Sequence, residues 1–396
     1  MQRYDAIVIG AGVIGCSVAF HLARLGAGRV LVLERSQIGA GTSAQSSGIL
    51  RTHYSVLENV ALAQASWSAF ADFAAYVGDP EASAGMVPCG YLICAPEGPR
   101  VEALRGALAG QTARGIEVQL LDRAQAADLL PIARFDDAAL IGYEPQAGFA
   151  DAYLTATSFA RAARRLGVSF LEGVRATALL REGDRIVGVE TTQGSYACGA
   201  LVSTQNIWAR EIERWTGIGS PVTAERHAVL ALQAADPAAY TAAMPVFKDL
   251  ASPGMLYYRS YGGRQMLVSE GTAGEVLTEP TTEQGDIPDD QILAVGEQVA
   301  ARFPAYGEAG LASSWTGVYD VTPDWNPVLG RPPGIEGLVV GYGFSGHGFK
   351  LSPAVGRVLA QEALGLPTEV SLAPYALERF RSGRLLTGRY GVGAVS

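Results

Sequence analysis

Lysine is almost missing from this chain. Of 30 basic residues only Lys248 and Lys350 are lysines, and no cluster of basic residues offers a track for a phosphate backbone. A formal net charge of −9 argues against nucleic acid and acidic lipid as partners. A coding bias toward Arg explains the shortage, but it makes each surviving lysine worth following. Cysteine is sparse too: Cys16, Cys89, Cys94 and Cys198 form no CxxC pair, and the four histidines are scattered. That spacing provides neither zinc ligands nor a disulfide framework, so no metal is expected and the thiols are expected free and buried. No run of about 18 apolar residues occurs, so no membrane-spanning helix is expected. The first strand is predicted from Tyr4, which leaves no space for a leader and points to the cytoplasm.

What is present suits two joined domains. The chain has 396 residues, 48% apolar and 17% charged, enough for a large interior but too long for one simple core. YDAIVIG at 4–10 is an apolar run ending in glycine, read as a strand buried on both faces. Helical spacing follows from Gly12 to about Leu25, then RVLVLE at 29–34 makes a second buried strand. Helices are predicted near 56–78, 100–114, 153–166, 288–303 and 353–364. A β-meander is predicted between 168 and 204, with turns at Gly183-Asp184 and Gln193-Gly194. Alternating runs between 221 and 314 predict an antiparallel sheet. With no internal repeat and no long linker, the two domains must interleave.

The βαβ opening carries Gly10-Ala11-Gly12-Val13-Ile14-Gly15, and Glu34 ends the next strand. A GxGxxG alone is weak in a chain with 48 glycines; between strand and helix it is a dinucleotide fingerprint. Gly10 permits the tight turn, Gly12 lets backbone approach the pyrophosphate, and Gly15 lets helix and strand pack closely. Glu34 is placed to accept hydrogen bonds from an unphosphorylated ribose. A nicotinamide enzyme would continue with further βα units. Here a loop rich in Gly, Ser and Thr follows at 39–48, suited to wrapping the rest of an FAD; a surface loop is the competing reading.

Four stretches together resemble the FAD-dependent D-amino acid oxidase superfamily, in its sarcosine oxidase and glycine oxidase-like branch. They are YDAIVIGAGVIGCSVAFHLARLG, VLVLERSQIGAGTSAQSSGILRTHYS, WTGVYDVTPDWNPVLG and VVGYGFSGHGFKLSPAVG. The resemblance implies an α/β, overall α+β, fold: a Rossmann-like FAD-binding domain from 1–85, 146–220 and 315–396. A substrate-binding domain with an antiparallel sheet would come from 86–145 and 221–314. FAD contacts are implied at Val13, Ile14, Glu34, Arg35, Thr42 and Ser43, then at Ser46, Ser47, Gly48, Val174 and Gly317. The GFSGHGFK stretch adds Gly343, Ser345, Gly346, His347, Gly348, Phe349 and Lys350, whose helix start would face the flavin ring.

The same resemblance implies that Arg51 and Lys350 hold a substrate carboxylate, with structural ion pairing as the competing reading. Two cations converging on one pocket need an anion, which favours an amino acid over a plain amine. Tyr319 would reach the substrate or pack in the core. Tyr257 and Tyr258 alternate on a strand, so one faces the pocket; Tyr258 is taken as that one. His53 would reach the flavin or cap a helix, and Asp324 and Pro327 would shape a turn. Three departures are visible. Some relatives attach FAD through a cysteine at the position of Gly317, so noncovalent FAD is expected here. A lysine and a histidine beside the flavin, the lysine promoting reaction with oxygen, align with Met266 and Glu270. Asn206 stands where the family has glycine. The expected activity is oxidation of the carbon–nitrogen bond of a small amino acid or N-alkyl amino acid by hydride transfer to flavin, with oxygen as acceptor. The alternatives are a dehydrogenase subunit that feeds a partner, or a noncatalytic flavoprotein.

Overall fold

A computed structural model describes residues 1–239 and 244–391. Its first sheet grows from the opening βαβ unit. The strand Gln2–Ile9 lies between the parallel strands Gly194–Ser203 and Val30–Leu33. Alternation divides its inner side chains: Ala6 and Val8 join a core beneath the helices, while Ile7 and Ile9 join a core on the opposite face. That double burial is why the run reads as continuously apolar. The sheet has eight strands, including the meander Ala176–Glu182, Arg185–Thr191 and Gly194–Ser203 and the late strand Leu338–Tyr342. Helices Val13–Arg24, Ala152–Arg165 and Gly348–Ala363 pack together over one face.

The second sheet has nine strands and carries the 223–277 segments together with Tyr91–Ala95, Gln119–Leu121 and Leu140–Glu144. It departs from the expected pattern in one pair. Val246–Asp249 runs parallel to Tyr91–Ala95, because the chain between them passes through the first sheet and returns instead of turning in a hairpin. The helix Asp289–Arg302 packs on its outer face through Val295 and Val299.

Two expected boundaries move. The strand Gly310–Val321 pairs along Thr223–Gln233, so a domain boundary at 315 would cut a strand, and this segment of the second sheet extends to Val321. The last long helix starts at Gly348, earlier than 353, with Pro353 inside it. All four cysteines are free. Among the described residues no helix is long and apolar enough to cross a membrane, and no cluster of three or more His, Cys, Asp or Glu could hold a metal ion.

Candidate active site

Three cavities follow one another along the seam between the sheets. The first, about 350 Å³, is lined by Gly10, Gly12, Glu34, Arg35, Thr42, Ser43 and Val174, and also by Thr204, Asn206, Trp208 and Thr282. Close packing makes its floor. A Cβ on Gly15 would stand 1.8 Å from the Gly10 carbonyl oxygen, so Gly15 lets helix and turn meet but does not itself line the cavity. Ser43 Oγ accepts from Val13 N at 3.0 Å. The Glu34 carboxylate accepts from Ala11 N and Ser36 N, both at 2.8 Å. Each oxygen keeps a second lone pair for a ribose hydroxyl. Arg35 lies over the Trp208 ring at 4.5 Å. Asn206 has φ 52, the left-handed region that glycine and asparagine tolerate best; this explains how Asn fills a family glycine position. Its Oδ1 accepts from Thr42 Oγ1 at 3.2 Å.

The second cavity, about 90 Å³, shares Thr42, Ser43 and Asn206 with the first and runs past Val13, Ile14, Gly317, Gly348 and Phe349. The third, about 40 Å³, shares Ser46, Ser47, Tyr319, Gly346 and Phe349 with the second and adds Arg51, Tyr257, Glu270, Ser345, His347 and Lys350. The turn between them is held by Asp320, whose carboxylate accepts from Gly343 N at 2.5 Å. Burial pushes the Asp320 pKa up to about 7, against the pull of the backbone N–H groups of Gly343, Phe344 and Ser345. Gly343 and Gly48 line none of these cavities. Gly343 serves the turn, and a Cβ on Gly48 would meet the Ala150 carbonyl oxygen at 2.0 Å; both are therefore corrected from cofactor contacts to backbone positions. The helix that starts at Gly348 has no side-chain cap, while His347 N–H is already given to the Phe344 carbonyl.

Two cations meet in the third cavity. Arg51 is 3% exposed and lies face-on to Tyr54 at 4.5 Å. One nitrogen reaches the Tyr257 hydroxyl at 3.5 Å, while Nε and Nη1 are buried with no hydrogen-bond partner. Lys350 Nζ lies 5.9 Å from the Tyr54 ring centre. Burial, and then the Arg51 charge, hold the Lys350 pKa well below the ordinary lysine range. A buried guanidinium with unused donors beside an ammonium is an arrangement that an anion completes.

Other expected site residues lie elsewhere. Tyr258 faces away, packed between Phe303 at 4.8 Å and Phe247 at 5.6 Å between ring centres. Strand alternation selects Tyr257 instead. His53 sits behind Arg51, bonded to Gln111 at 2.7 Å and Tyr390 at 3.0 Å. Burial and the Arg51 charge push its pKa down to about 3, so it is a neutral support, neither flavin contact nor helix cap. Met266 is wholly buried in the outer core, and only Glu270 of the two aligned positions reaches the cavity. Tyr319 does line the cavity, stacked on His227 with ring centres 4.1 Å apart. Asp324 shapes its turn as expected and also pairs with buried Arg379 at 2.7 Å.

Sequence reasoning missed several residues. Ser269 and Ile49 join the third cavity, and Thr204, Gln205 and Trp208 the first. In the sequence Lys248 stands out only as one of two lysines. It is wholly buried, with Nζ 3.7 Å from the Tyr257 ring centre and bonded to the Met255 carbonyl. Burial, then the Arg51 charge, lower its pKa strongly. A lysine thus stands behind the pocket tyrosine, brought by the strand Val246–Asp249. The surest clue lay in its scarcity.

Known proteins place this geometry. Mitochondrial sarcosine dehydrogenase of Mus musculus is 27% identical over 387 residues, covering 95% of this chain. The chain spans 41% of that enzyme's length. Peroxisomal sarcosine oxidase of Homo sapiens is 29% identical, with 96% of this chain and 97% of that one covered. The crystal structure of L-proline dehydrogenase from P. horikoshii superposes with a TM-score of 0.87 at 25% identity, covering 97% of this chain and 99% of the other. The turn closed by Gly15, the paired acceptors of Glu34 and the uncapped helix start at Gly348 fit an FAD. Residues 5–362 match the model of the DAO family, the FAD dependent oxidoreductases, and the chain belongs to that family.

Proposed function

We propose that the chain oxidises the carbon–nitrogen bond of a small amino acid or N-alkyl amino acid, with FAD bound along the first two cavities and the substrate in the third. The observation that carries this reading is the pair of unused Arg51 donors, Nε and Nη1, buried beside Lys350. The adenosine end would lie at Glu34 and Arg35 in the first cavity, and the flavin end in the second, which Gly317, Gly346, Gly348 and Phe349 line. Gly317 offers no thiol for attachment, which supports noncovalent binding. When bound, FAD supplies the two-electron acceptor for the C–H bond beside nitrogen.

The chain's own residues bind and orient. Arg51 and Lys350 grip the carboxylate, while Tyr257 and Tyr319 wall the space around it. Both cations also disfavour an ammonium close by, so the substrate nitrogen releases its proton to solvent on entry and brings a lone pair. The third cavity is the smallest of the three, at about 40 Å³, which supports a compact substrate. The imine product hydrolyses in water without help from the protein. Oxygen is the proposed acceptor; peroxide release distinguishes it from transfer to a dye or partner.

The test is anaerobic reduction of the bound flavin by a panel of amino acids, N-methyl amino acids and plain amines, followed by absorbance. Bleaching by carboxylate-bearing amines is expected, and no bleaching by any of them sinks the reading. Lys350→Ala should raise the apparent substrate constant far more than it slows bleaching at saturation.

A further inference from the structure

The cations of the third cavity share it with one carboxylate, Glu270. It follows the strand Gln265–Ser269, in the second sheet, whereas Arg51 follows the strand Ile49–Leu50 and Lys350 lies on the helix Gly348–Ala363. Its Oε2 is fixed by Gln291 Nε2 at 2.5 Å, and Glu270 is half-buried. The cavity therefore has a positive side and a negative one, and its small volume keeps a ligand close to both.

We propose that Glu270 selects the substrate class: it repels ligands carrying a second carboxylate and admits amino acids whose far end is neutral or cationic. The proposal deepens the function proposed above and rests on it. Arg51 and Lys350 attract any carboxylate, so the clamp alone favours a dicarboxylic amino acid at least as much as a neutral one. Selectivity against the wrong ligand requires a repulsive element, and Glu270 is the anionic side chain that lines the cavity with the clamp. Gln291 matters because it takes up one carboxylate oxygen and prevents Glu270 from swinging away from an incoming anion.

The experiment uses the FAD-loaded protein and unreactive ligands, so that it does not depend on turnover. Acetate and malonate are titrated by the perturbation of flavin absorbance, giving a dissociation constant for each. In the wild type malonate should bind more weakly than acetate. Glu270→Gln should narrow that ratio by about 10-fold, the effect of one like-charge contact removed, and Glu270→Asp should preserve it. A ratio unchanged within about twofold in Glu270→Gln overturns the proposal, as does equal narrowing in Glu270→Asp. The amino-acid panel separates the two failures. If no amino acid reduces the flavin, the function reading falls; if neutral ones do while the ligand ratio stays fixed, only the role of Glu270 falls.

Discussion

The two walls of the third cavity are built differently. On the cofactor side Arg51 and Lys350 are buried cations, laid against aromatic faces and backed by the Gln111–His53–Tyr390 chain. Behind them Glu144 accepts from Thr52 N and Thr52 Oγ1, both at 2.8 Å, and burial raises its pKa. On the other side Tyr257, Ser269 and Glu270 come from strands whose neighbouring side chains point the opposite way into an apolar core. The first wall is fixed by charge and hydrogen bonds in depth. The second is one side chain thick, with Lys248 behind Tyr257 as its polar support. A shared grip on the carboxylate and a variable outline for the rest of the ligand can therefore reside on separate elements.

That contrast can be broken from either side. The largest effect is expected from Tyr258→Ala, which empties a wholly buried position and should cost about 3–5 kcal/mol of stability, read by denaturant unfolding. Arg51→Met comes next. Removing one member of a buried charged pairing costs about 2–5 kcal/mol, so the substrate constant should rise by at least about 30-fold while FAD stays bound. Smaller still is a pH effect. Lys350 is charged below its depressed pKa and neutral above it, so carboxylate affinity should fade as pH rises, earlier than for an ordinary lysine. Lys350→Arg should remove that alkaline fading in ligand titrations. The smallest change belongs to Tyr257→Phe, which removes one long hydrogen bond to Arg51, about 1 kcal/mol or less. It should shift the substrate constant a few-fold, with thermal unfolding nearly unmoved. If Tyr257→Phe proved as damaging as Arg51→Met, the division between the walls would collapse.

The cofactor side was legible because local rules fix it. Gly10, Gly12, Gly15 and Glu34 are tied by covalent proximity and by one turn geometry, so their spacing carries meaning. Arg51 and Lys350 came from resemblance, and the unused Arg51 donors then gave that pairing a physical basis. Tyr257 was half legible: alternation showed that one tyrosine faces inward, but the choice depends on register against Lys248 and Ser269. His53 and Met266 misled for the same reason, since sequence neighbours of a site can serve the layer behind it. Val246–Asp249 lay beyond reach, because its parallel pairing with Tyr91–Ala95 is a long-range event.

Gln45 bridges two parts of the molecule. Its side-chain oxygen accepts from Val318 N at 3.1 Å, and its amide gives to the Thr282 carbonyl at 2.9 Å. Arg259 adds a bond to the Ser47 carbonyl at 2.7 Å. The loop under the proposed pyrophosphate is therefore stitched to the second sheet, and Thr282 itself borders the first cavity. With FAD held noncovalently as proposed, its residence time should depend on both sheets, and loss of these stitches should quicken its release.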